Sequence, residues 1–271
     1  MHNPALISFR AHSRTPSPVN NVTYQYTAEE VSINSAHIED YFHRDRVRPS
    51  GRDMGPAKAP REVLRRIVQW TRGTESVPSI LWIDGPFSNS RGNDNPLSRL
   101  AATVIDFAAQ SHVPVMSYFC ELRRGEDIRD SNTPEIQALL ALVSALIRQM
   151  IELLLPAFNT DVDLSKQRFA RIDGTTDCWD EAMSLIRDMV HLLPEADKVF
   201  CIVDGMHWLD DRRTLSHIQQ LIEVLRATGF RILLTTSGRA AALRQATTKH
   251  EAMLVESFGR ADESMSHRDL K

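Results

Sequence analysis

The chain has 271 residues, is 42% apolar, and carries 32 Lys plus Arg against 35 Asp plus Glu, for a net charge of −3. That length supports one substantial core with tails. The charge balance excludes a global attraction to nucleic acid or to an anionic membrane, so any polyanion binding has to rest on a local patch.

Residues 1–27 are rich in Pro, Ser, Asn and Thr, show neither period 2 nor period 3.6, and read as a tail. The spacing over "AEEVSINSAHIEDYFHRD" predicts one amphipathic helix, and "RPSGRDMGPAKAP" reads as a linker. "PREVLRRIVQWTRG" then predicts a helix with Val63, Leu64, Ile67, Val68 and Trp70 mostly on one stripe and Gly73 as its stop. Its arginines, Arg61, Arg65, Arg66 and Arg72, read first as a solvated face and second as a basic patch.

Five short apolar runs follow, at 79–84, 113–120, 198–204, 230–236 and 252–257. Runs this short and this apolar suit strands covered on both faces. Helical patterns at 97–110, 134–155, 179–193, 213–228 and 239–248 alternate with them. The alternation predicts an α/β, doubly wound domain with a five-stranded, mainly parallel sheet. Asn95 and Pro96 suit the start of the first of these helices, and Thr133 and Pro134 the start of the second. The stretch 136–155 is the most apolar in the chain, but Ser144, Arg148, Gln149 and Glu152 interrupt it, so it reads as a buried helix and not a membrane span.

The expected organisation is a disordered or partly helical N-terminal tail over 1–55, one domain over 56–260, and a C-terminal tail over 261–271. Cys120, Cys178 and Cys201 are scattered and odd in number, and no apolar secretory segment opens the chain. Both features point to a reducing interior, cytoplasmic or nuclear, and Cys120 and Cys201, in or at the end of predicted strands, read as buried, inert thiols.

Three blocks carry candidate chemistry. "LWIDGPFSNSRGNDNPLSRLA" begins as a strand and glycine turn and ends as a helix, the plan of a phosphate-binding loop. Gly85 stands at the first glycine and Ser98 at the Mg²⁺-binding hydroxyl. Pro96 and Leu97 occupy the positions of the last glycine and the lysine, and the loop is six residues longer than the motif. Asp84 and Asp94 flank the turn against Arg91 and Arg99, and Arg99 is the candidate substitute for the absent lysine.

The second block, "VFCIVDGMHWLDD", ends a buried strand in Asp204, a candidate Mg²⁺ ligand, with His207 as a candidate base or a packing residue. In the third, "RILLTTSGR", Thr235, Thr236 and Ser237 leave a strand at the sheet's carboxyl edge, with Arg239 placed to meet a terminal phosphate. A hydrolase built from Ser237, His207 and Asp204 is a remote alternative, because no G-x-S-x-G elbow is present. No Cys and His stand at metal-ligand spacing, so no structural zinc is expected.

Together these blocks and "ALLALVSALIRQMIELL" resemble the NACHT-type domains of the STAND class of P-loop NTPases, in particular the divergent forms of filamentous fungi, over roughly 60–257. The resemblance implies a sheet with the first strand between the fourth and fifth, and a long helical insertion between strands 2 and 3 that carries "LVSALIRQM". It also implies a switch that binds ATP or GTP with Mg²⁺ and self-associates for signalling. By the same likeness Gly85 and Ser98 match the Walker A turn and hydroxyl, Asp204 the Walker B acid, and Thr236, Ser237 and Arg239 the end of the sensor strand.

The missing lysine and lengthened loop depart from that pattern. The expectation is therefore a degenerate domain that does not hydrolyse nucleotide and acts through other proteins, including its own copies, without nucleic acid or membrane as partner. The alternative is an active ATP- or GTP-binding switch with an atypical phosphate loop.

Overall fold

The structure, a computed structural model, describes residues 23–48, 57–73, 78–88, 95–122, 128, 132–258 and 263–264. Strands β1 (Tyr24–Thr27), β2 (Lys58–Ala59), β3 (Ile80–Gly85), β4 (Val115–Phe119), β5 (Ala157–Thr160), β6 (Phe200–Asp204), β7 (Arg231–Ser237), β8 (Ala252–Leu254) and β9 (Glu263–Ser264) are interleaved with eight α-helices. These are α1 (Ala28–Asn34), α2 (Arg61–Arg72), α3 (Pro96–Gln110), α4 (Pro134–Glu152), α5 (Lys166–Phe169), α6 (Trp179–Val190), α7 (Leu215–Ala227) and α8 (Ala241–Ala246).

Five strands form one parallel sheet in the order β4-β6-β7-β3-β8. The first core strand, β3, lies between the fourth and fifth, β7 and β8, and the insertion carrying α4 to α6 separates the second strand from the third, as the sequence leads one to expect.

Strand alternation divides the core into two layers. Leu81, Ile83, Val115, Phe119, Phe200, Ile202 and Leu233 pack with α2 and α3, whereas Ile80, Trp82, Met116, Cys201, Val203, Ile232 and Leu234 pack with α4, α6 and α7. Fully burying side chains of this size contributes about 1.5–3 kcal/mol each. Helix α4 meets the length and composition of a membrane span, yet most of it is buried between the sheet and its neighbouring helices. Its Thr133 cap and the Asn95 cap of α3 form as the sequence indicates.

Gln149 of α4 finishes one edge of the sheet. Its Oε1 accepts from the Ser117 amide (2.8 Å) and its Nε2 donates to the Ser117 carbonyl (3.0 Å), so a side-chain amide takes the place of a further strand beside β4. An edge occupied in this way cannot template pairing with another chain.

The N-terminal segment departs from its reading as a tail followed by one helix. Tyr24 and Tyr26 alternate in β1, which pairs antiparallel with β5, and the Tyr26 hydroxyl accepts from the Leu164 amide (3.1 Å). The helix expected over 28–45 breaks at Ser35, whose hydroxyl donates to the carbonyls of Val31 (2.8 Å) and Ser32 (3.2 Å) and so competes with helix continuation. Two 3₁₀ turns, Ala36–Tyr41 and Arg44–Arg46, follow. Val31, Ile38, Phe42 and Val47 are buried in the larger core layer, so this segment is part of the folded body.

Within the expected C-terminal tail, β9 pairs antiparallel with β2. Residues 1–22, most of the linker reading, and the rest of the C-terminal tail lie outside the described residues.

Arg148, almost wholly buried on α4, holds this N-terminal segment in place. Its guanidinium donates to Glu39 Oε1 (2.6 and 3.1 Å), to Ser35 Oγ (2.5 Å), and to the Ser32 carbonyl (3.0 Å) and hydroxyl (3.3 Å). Arg148→Ala is expected to cost about 2 kcal/mol, less than for a fully buried pair because Glu39 is partly exposed. The loss should appear as a lower urea midpoint, and a midpoint equal to that of the native sequence would contradict the staple.

Candidate functional site

Parallel register brings the candidate residues together at the carboxyl edge of the sheet. Asp84 lies beside Thr236, Gly85 beside Ser237, and Asp204 beside Thr235. Helix α3 begins above this edge and delivers Ser98.

Asp204 is buried at the end of β6. Its Oδ2 accepts from Ser98 Oγ (2.6 Å), and its Oδ1 accepts from Thr235 Oγ1. Gly205 turns the chain immediately afterwards at φ 75°, and a Cβ added there would meet the Cys120 carbonyl at 2.5 Å, so only glycine fits. The hydroxyl and carboxylate expected around Mg²⁺ therefore do meet. Thr235 joins them, and the sequence reading stressed its neighbour instead. Alternation decides this: Thr235 shares the α3 side with Leu233, and Thr236 points to the opposite layer.

The phosphate half of the site is built differently. Leu97, at the lysine position, is 1% exposed and belongs to the α2–α3 core layer. It lies so close over the turn that a Cβ on Gly85 would come within 2.7 Å of its Cδ1. The Leu97 amide donates to Asn95 Oδ1 (2.9 Å), Pro96 has no N–H to offer, and the Arg99 amide bonds the Asn95 carbonyl (3.1 Å). A phosphate cradle at a helix N-terminus needs free amides converging on an open space. Here the Leu97 and Arg99 amides are engaged, Pro96 has none, and leucine fills the space over the glycine.

Asn95 also donates through Nδ2 to Ser237 Oγ (2.8 Å), and the Gly238 amide donates to the Gly85 carbonyl (3.1 Å). These bonds tie the start of α3 and the glycine turn to the end of β7.

Thr236 donates to Asp84 Oδ1 (3.0 Å) and accepts from Trp82 Nε1 (2.9 Å), while Arg244 of α8 pairs with Asp84 Oδ2 (3.2 Å). Arg239 is exposed on the loop after β7, and Arg99 is half-buried on the first turn of α3. Arg91 and Asp94 lie outside the described residues.

His207 Nδ1 accepts from the Ser237 amide (3.1 Å), and burial pulls the imidazole down to about 4 against an upward pull from Asp84. A neutral ring with this lone pair occupied serves as a packing and capping group. The Ser–His–Asp arrangement does not form, because His207 faces the Ser237 backbone and Asp204 faces Ser98 and Thr235. Asp210 accepts from the amides of Ala241 (2.7 Å) and Ala242 (3.0 Å) and so caps α8, a long-range role with no local signal in the sequence.

The three thiols are buried. Burial raises all of them, Cys201 to about 12, and the Asp204 charge adds to the rise at Cys120.

The sheet order, the strand–glycine turn–helix at its carboxyl edge and the buried aspartate on a neighbouring strand define a P-loop NTPase-like domain, nucleotide-binding by class. The chain belongs to the Nephrocystin 3, N-terminal family, which matches residues 64–237. No curated protein matches the sequence.

Among solved structures, Drosophila ORC bound to poly(dA/dT) DNA and Cdc6 is similar at 15% identity and a TM-score of 0.37, over 84% of this chain and 31% of the other. Drosophila ORC bound to GC-rich DNA and Cdc6 is similar at 16% identity and a TM-score of 0.37, over 94% and 35%. The AT-rich complex gives 16% and 0.36, over 93% and 35%. This chain thus spans about a third of the length of those it resembles.

Burial raises the Asp204 carboxyl above the ordinary aspartate range, against the downward pull of the Ser98 and Thr235 hydroxyls and the Gly205 amide. A group raised in this way contributes stability fully only below its unfolded pKa of about 3.9, and the contribution is lost as pH rises through the folded value. Asp204→Asn keeps a neutral group at every pH. Its thermal midpoint is expected to gain on that of the native sequence as pH rises from about 4 through the folded value of Asp204. A difference that does not grow with pH, or that reverses, would contradict the raised carboxyl.

Proposed function

We propose that this is a degenerate, NACHT-like P-loop domain that does not hydrolyse nucleotide and works as a regulatory or protein-interaction module in the cytoplasm. The observation that carries the reading is Leu97. At the position where a phosphate loop presents its cation, this chain has a buried leucine packed against the glycine turn. Phosphoryl transfer spreads negative charge over phosphate oxygens, and fixed donors aimed at that charge lower the barrier. Losing one such donor typically costs about a hundred- to a thousandfold in rate. The residues present thus fit the Mg²⁺ half of a nucleotide site, through Ser98 and Asp204, and do not fit the phosphate half.

The alternative, an ATP- or GTP-binding switch, draws its support from the surviving Ser98–Asp204 contact. In that reading Arg99 or Arg91 supplies the missing charge and the long loop folds over the phosphates.

Two measurements separate the readings. Thermal unfolding of the full chain titrated with Mg²⁺ and ATP or GTP is expected to show no shift at millimolar nucleotide. A native-state ligand at one hundred times its Kd would add about 2.7 kcal/mol, and a shift of that kind would establish the switch.

The second measurement concerns the leucine itself. If Leu97 is a core residue, Leu97→Ala is expected to lower stability by about 3 kcal/mol in urea, through lost burial and the cavity left behind. A near-zero change would place the side chain in an open pocket instead.

A further inference from the structure

The arginines of α2 are not used by the site at the sheet edge, and their arrangement has a direction. Arg61, Arg65, Gln69 and Arg72 are exposed and follow one another at i, i+4, i+8 and i+11, which is a single stripe along the helix. Lys58 is exposed just before the helix begins. Arg66 donates to the His250 carbonyl (2.6 Å), which ties α2 to the segment that carries the exposed Lys249.

The opposite face of α2 is buried through Val63, Leu64, Ile67 and Trp70, so the helix cannot roll to hide its charges. Glu62 is the one acid on the exposed side of this helix. No side-chain hydrogen bond caps its N-terminus, whose partial positive charge adds to the ridge. In a chain of net charge −3 this is a locally cationic surface, and Arg65 and Arg72 have no ion-pair partner among the described residues.

We propose that the α2 ridge docks an acidic helix of a partner protein. The proposal rests on the reading of this domain as an interaction module and gives the chemistry of its partner. Guanidinium forks match carboxylates in bidentate geometry. Successive ridge positions lie about one helical turn apart, and a second helix bearing Glu or Asp at i, i+4, i+7 and i+11 presents carboxylates at the same interval. A duplex would require a broader cationic footprint than one helix provides, and the acidic remainder of the chain would repel it. The exposed positions of α2 include no apolar side chain to enter a bilayer.

The test uses the full chain and a fluorescent, alanine-based helical peptide with glutamates at i, i+4, i+7 and i+11, with its glutamine counterpart as control. Binding of the glutamate peptide is expected. It should weaken by at least about tenfold in Arg65→Glu/Arg72→Glu, and also on raising salt from ~50 to ~300 mM, because exposed pairs are screened. Both substitutions are on the solvent face, so an unchanged thermal midpoint confirms that the variant folds.

Failure of the glutamate peptide to bind, equal binding of the glutamine peptide, or an affinity unchanged in the double variant would overturn the proposal. Tighter binding of a duplex oligonucleotide or of phosphatidylserine vesicles at the same ridge would also overturn it. Adding Mg²⁺ and ATP to the same samples separates the two levels of the account. A nucleotide-induced thermal shift overturns the reading of a phosphate site filled from within and leaves peptide docking to stand or fall on its own result.

Discussion

The contact between Leu97 and Gly85 sets what the carboxyl edge of this sheet can do. A phosphate loop requires an open space above its glycine turn, amides that converge on that space, and a cation to neutralise the ligand. In this chain the leucine closes the space, Asn95 engages the Leu97 and Arg99 amides, Pro96 has no amide hydrogen to give, and Arg244 of α8 is paired with Asp84. The turn and the helix remain in their places because hydrogen bonds and packing within the protein hold them there.

That internal satisfaction accounts for the polar residues retained around the turn. Asp204 is held by two hydroxyls, Ser237 by Asn95, and Asp84 by Thr236 and Arg244. Each bond satisfies a group whose burial would otherwise cost about 1–3 kcal/mol. The same economy appears where Gln149 pairs with the backbone of β4 and where Arg148 gathers Glu39, Ser32 and Ser35. The N-terminal segment is thereby made part of the core, and the basic face of α2 is left turned to solvent.

The strands and helices of the sheet were legible because short apolar runs and 3.6-residue stripes are local signals, and the departures at Pro96 and Leu97 could be read directly. Leu97 could be placed inside from its position on the α3 stripe alone. Other features depend on partners far away in sequence. β1 needs β5, Ser35 ends α1 through a side-chain bond that the apolar spacing does not reveal, and Asp210 caps a helix thirty-one residues downstream of it. The roles of Thr235 and Thr236 could not be assigned until the register of β7 against β6 and β3 was known, because adjacent strand residues face opposite layers.

Amide hydrogen exchange at Gly85, Leu97, Ser98 and Gly238, with and without millimolar Mg²⁺ and ATP, tests most directly whether the leucine has replaced the phosphate. Exchange at all four positions should be the same in both conditions, since a pocket filled from within offers the nucleotide no amides to bind. Marked protection at these positions on adding nucleotide would contradict the self-filled site and restore a working phosphate loop.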